Sequence, residues 1–116
     1  MTTILAARAA LVTAVGAKDT FSDPPACYVY SNGSDMELKG GSSIVWTFRV
    51  SCVVGYQGDD ADSSRALAAL TQSKVNTLWA LAGWSVDRVT ADLVTDIAGG
   101  TYFSADIDVS TVVQII

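Results

Sequence analysis

The chain has 116 residues, half of them apolar and 16% charged, with no low-complexity tract. That is the composition of one globular domain and not of a disordered, fibrous or membrane-spanning chain. Twelve acids, eleven of them Asp, against seven Lys and Arg leave a net charge of −5, the wrong sign for gripping phosphate backbones. His is absent, which removes His-dependent triads, His-ligated zinc and imidazole acid–base chemistry.

The first apolar run, Ile4 to Ala17, has no Lys or Arg before it and carries Arg8 within it, so it reads as a helix and not as a secretory signal. It is also shorter than the roughly 20 apolar residues a bilayer span requires. Ile4, Leu5, Arg8, Leu11, Val12 and Val15 fall on one helical face, with Thr2 or Thr3 to cap the start and Gly16 to end it. Phe21 to Pro25 reads as an extended connector, because each proline disfavours helix in the residue before it. Ala26 to Ser31 is a short strand closed by the turn-forming Asn32-Gly33. Ser34 to Ser43, with Met36 and Leu38 as its apolar residues, is expected to be a mobile loop or an extended hairpin tip.

Ile44 to Val54 alternates cleanly, with Ile44, Trp46, Phe48, Val50, Cys52 and Val54 on one parity. Asp59, Asp60 and Asp62 then supply negative charge for the positive end of a second helix, Ser63 to Leu81. Its stripe is Leu67, Leu70, Leu78 and Leu81, with Lys74 in the middle. Lys74 either lays its stem along apolar surface or forms an ion pair between subunits. Trp79 and Trp84 bracket the end of this helix outside the stripe, as satellite-core aromatics or as anchors between subunits. Trp84 to Ile97 and Thr101 to Val113 are two further strands joined by a tight Ala98-Gly99-Gly100 turn.

The expected fold class is α+β in a single domain, residues 1–116, with the order α-β-β-α-β-β. It has a mainly antiparallel four-stranded sheet and two helices packed on one face. Cys27 and Cys52 are too far apart in sequence for a zinc knuckle or a C-x-x-C pair, and they read as small reduced packing residues. A disulfide would need their β-carbons to face one another. By residue parity Asp92, Asp96, Asp106 and Asp108 share the sheet face away from the helices. A paired-carboxylate or divalent-cation site is one use of such a group, and an ordinary solvated polar face is the plainer one. Gly-x-Gly-x-x-Gly and Walker patterns are absent, and no serine lies in a nucleophile elbow. No enzyme, cofactor or metal is expected.

The Ala/Leu-rich opening helix, the step Pro24-Pro25-Ala26-Cys27-Tyr28-Val29-Tyr30 and the long strand Ser43 to Val54 are followed by a helix with Ala66-Leu67-x-x-Leu70 and Val75-x-x-Leu78. A closing Tyr102-Phe103-Ser104-Ala105-Asp106-Ile107-Asp108-Val109 completes the series. In order, spacing and total length this resembles the tail terminator proteins of long-tailed bacteriophages, over nearly the whole chain. The resemblance implies a virion protein, made in the cytoplasm of a bacterial host, that forms a homo-oligomeric ring, usually of six copies, on the head-proximal end of the tail tube. Its partners would be the tail tube protein and the head-tail connector protein, with DNA only as passing cargo and no membrane. Met36, Leu38, Lys74, Trp79 and Trp84 are the candidate contact residues. The four aspartates are the candidate channel lining, where they would repel passing DNA phosphates. Another phage neck or tail-completion component, or a free-standing α+β ligand-binding or regulatory domain, would share the pattern.

Overall fold

The computed structural model of the chain describes residues 3–20, 24–31, 37–38, 43–97 and 100–114. The first helix, α1, spans Ile4–Val15. The Thr3 hydroxyl accepts from the Ala6 N–H at its start, and Gly16 ends it in the left-handed region at φ 67°, donating its N–H to the Val12 carbonyl. Ala7, Leu11 and Val15 are its buried residues. Leu5, expected on that face, is 77% exposed, because at about 100° per residue it lies about 160° around the helix from the buried Ala7.

The strands are β1 (Ala26–Ser31), β2 (Glu37–Leu38), β3 (Ser43–Gly55), β4 (Trp84–Ile97) and β5 (Gly100–Gln114). They form one antiparallel sheet in the order β1-β3-β5-β4, with β2 on β3 beyond the end of β1. The expected four-stranded sheet is therefore present with the two-residue β2 added. The Asn32-Gly33 turn, Phe21 and the Ala98-Gly99 part of the hairpin tip lie outside the described residues. The second helix, α2, runs Asp60–Trp79, a turn earlier than expected at its start, because the Asp59 side chain caps it by accepting from the Asp62 N–H at 2.7 Å.

Both helices lie on one face of the sheet. Ala7, Leu11 and Val15 of α1 and Leu67 and Leu78 of α2 meet Val29, Phe48, Val50, Val54, Phe103, Ile107 and Val109 in one core. Opposed residues on antiparallel strands point to the same face, so Phe48↔Val109, Val50↔Ile107 and Val54↔Phe103 build a continuous apolar floor. The principal extents are 52 × 26 × 23 Å and the radius of gyration is 15.1 Å. A compact domain of this length would have about 13 Å, and the long β3, β5 and β4 account for the elongation.

β4 does not keep its parity. Its register against β5 shifts between Val86 and Arg88 and again between Thr90 and Leu93. Asp87 is the extra residue at the first bulge, and Ala91 and Asp92 stand opposite the single Ala105 at the second. Each bulge exchanges which residues face the helices. Trp84 and Val86 face them before the first bulge, Val89 after it, and Val94 and Asp96 after the second.

Candidate functional site

The bulges take apart the expected row of four carboxylates. Asp106 and Asp108 on β5 do lie on the face away from the helices. Asp96 is opposite Thr101, on the helix-side face, and accepts a hydrogen bond from the Thr101 hydroxyl at 2.9 Å. Asp92 sits in the second bulge, and its side chain lies outside the described residues. Alternation by residue number fails here because a bulge inserts one residue without any signature that single residues display.

Charge on the far face is balanced. Arg49 on β3 and Arg88 on β4 are the register partners of Asp108 from its two sides. Arg49 holds Asp108 with two donors, Nε to Oδ1 at 2.9 Å and Nη2 to Oδ2 at 3.4 Å, and its Nε lies 3.9 Å from Asp106 Oδ2. The hydrogen bond to Asp108 raises the Arg49 pKa above its ordinary value, with the nearby charges of Asp108 and Asp106 adding to it and burial opposing. Asp108 is buried, and this fork lets a carboxylate stay there. Arg49 and Arg88 thus offset the charge of Asp106 and Asp108.

The candidate contact residues separate. Trp84 is a core aromatic, its ring centroid 5.7 Å from that of Phe48. Trp79, the last residue of α2, is 76% exposed. Lys74 is half-buried in α2, and its charge acts on both Cys27 and Cys52, so it faces the sheet. Met36 lies outside the described residues; Leu38 is paired with Ile44 through β2, its side chain undescribed.

Beside α2 there is a groove that residue periodicity did not single out. It holds about 360 Å³ between Ala68, Thr71 and Val75 of the helix and Val89 and Ala91 of β4. β4 is the outer strand of the sheet on this side, and among the described residues no strand pairs with its free edge. Val89, Leu93 and Val94 are exposed along it. Thr71, on the groove wall, is buried, and its hydroxyl has no hydrogen-bond partner. Such a group is costly to leave unmet. The spacing of Val86 and Val89, three residues apart within an alternating strand, was the available signal that the apolar face switches.

A second depression, of about 340 Å³, lies at the rim of β1 among Arg8, Lys18, Asp19, Tyr28, Tyr30 and Tyr102. Arg8 there donates to the Val29 carbonyl. Among the described residues no three Cys, Asp or Glu gather as a metal site. No model of a known protein family matches the chain, and no curated protein matches it.

Proposed function

We propose that the chain is a structural subunit that closes into a ring, of six copies, on the head-proximal end of a bacteriophage tail tube. There it ends tube growth and meets the head connector, with DNA as passing cargo. The order and spacing of its elements support this reading: they run in the α-β-β-α-β-β order expected from the sequence, with the two-residue β2 added. The observation that carries it is the free β4 edge beside the α2 groove. A 14-residue outer strand with exposed valines is a liability in a lone subunit. In a head-to-tail assembly it is a contact surface, and heterologous contacts close into rings when the rotation allows. The two bulges interrupt the strand edge, so the apolar groove beside α2 is the better docking element than strand addition along the whole of β4.

Electron microscopy and sedimentation of concentrated protein, alone and with isolated tail tubes, test the reading. The expected result is a six-fold particle of about six times the 12.1 kDa of one chain, free or seated on tube ends. A protein that stays monomeric in both settings and is absent from purified virions is instead a free-standing regulatory or binding domain.

A further inference from the structure

Cys27 and Cys52 are directly opposed on β1 and β3, with their sulfurs 3.6 Å apart. Both are free thiols, 3% and 0% exposed. The backbone identifies which kind of opposed pair this is. The Cys27 carbonyl accepts from the Lys18 N–H at 2.8 Å, so the polar groups of Cys27 point out of the sheet, away from β3. The Val29 carbonyl, two residues on, points the same way, to Arg8. Cys27 and Cys52 therefore do not exchange backbone hydrogen bonds, and they form the narrow type of antiparallel pair, with α-carbons about 4.5 Å apart. That separation lies inside the roughly 4.4–6.8 Å range in which a disulfide forms without moving the backbone.

We infer that Cys27 and Cys52 are an oxidant-accepting site, at which hydrogen peroxide converts the two thiols into a cross-strand disulfide that pins β1 to β3. The oxidant class follows from burial, since a peroxide is among the smallest two-electron acceptors and Cys27 is the less enclosed sulfur. The Cys27 thiolate attacks one peroxide oxygen, the O–O bond breaks, Cys27 becomes a sulfenic acid, and the departing hydroxide takes up the proton that Cys27 released to give the first water. Cys52 then attacks that sulfur, the S–O bond breaks, and water departs with the proton from Cys52. Two thiols lose two electrons, and the peroxide is reduced to two waters. The surroundings favour Cys27 as the first nucleophile. Its thiol is held below the ordinary range by the hydrogen bond it shares with Cys52, against burial and with help from Lys74 of α2. The same hydrogen bond, together with burial, pushes Cys52 up. The first proton of the pair is thus lost from Cys27 in preference to Cys52. Among the described residues no third metal-binding side chain joins the two sulfurs, so a metal centre does not compete for them.

The test is oxidation of the folded protein with one equivalent of hydrogen peroxide, followed by denaturation, alkylation and mass spectrometry. The expected product is lighter by two hydrogens, takes up no alkylating agent, yields a peptide joining Cys27 to Cys52, and reverts with dithiothreitol. Its melting temperature should rise by about 5–10 °C, because the bond closes a loop in the unfolded chain without straining the native one. In Cys52→Ala the reaction should stop at a sulfenic acid on Cys27 that dimedone traps. Wild-type protein with both thiols still alkylated, a sulfinic acid in place of the disulfide, covalent dimers, or a lowered melting temperature would each overturn the inference. The wild-type measurement stands alone if the variant fails to fold.

Discussion

The two outer strands of the sheet are finished in opposite ways. β1 is six residues long, its first four residues are buried, and two of its outward carbonyls are taken by the Lys18 N–H and the Arg8 guanidinium. β4 is fourteen residues long, bulged twice, and exposes Val89, Leu93 and Val94 beside a groove. One edge is closed by the chain's own segments, and the other is left open. An edge satisfied from within contributes to folding, whereas an open edge with apolar side chains is the surface on which the proposed ring contact would form.

The contrast can be broken from the closed side first. Leu11 is fully buried in the helix that covers β1. Leu11→Ala should cost about 2–5 kcal/mol in urea unfolding, as a buried leucine truncation does. In hydrogen exchange, the amides of β1 should lose protection before those of β5. Equal loss at both strands would show that α1 does not close that edge in particular.

The next largest effect lies between the two edges. Arg49→Met removes both donors that hold the buried Asp108. It should destabilise by about 1–3 kcal/mol, below the cost for a fully enclosed pair because the Arg49 side chain is itself partly in water. Asp106→Asn, at the long 3.9 Å contact, should change chemical denaturation much less. If the two variants proved equal, Asp108 would not depend on the fork.

The smallest effect on stability should carry the largest on assembly. Val94 is 61% exposed on the open edge and Tyr30 54% exposed beside the closed one. Val94→Lys and Tyr30→Lys should each change folding stability by no more than about 0.5 kcal/mol. Sedimentation should show Val94→Lys deficient in the higher-order particle and Tyr30→Lys competent. A reversed result would move the contact surface to the β1 side.

Most of the fold was legible because its periodicities are uninterrupted. β3 and β5 alternate without a bulge against each other, and the odd residues Phe103 to Val109 are buried as their pattern predicts. Legibility ended at β4, where parity changes twice and carries Asp96 away from Asp106 and Asp108. It also ended at the thiols. Their opposition depends on the register of β1 against β3, and more than a short turn connects those strands, so no turn geometry dictates that register. Trp79 and Trp84 were indistinguishable by composition. Only the side of the sheet to which the chain returns after Gly83, at φ 85°, puts one ring on Phe48 and the other in water.

The balanced row of Arg49, Asp108 and Arg88 has a consequence for orientation. With Asp106 and Asp108 offset in this way, a second group of acids stands out where β3 ends. Asp59, Asp60 and Asp62 follow the end of β3, and that end pairs with Tyr102, next to the Asp96–Thr101 contact. Arg65 offsets part of this through Asp62, and the helix dipole offsets a little more. Among the described residues this end of the sheet is thus acidic, and a basic surface would attract it by its charge before contact is made.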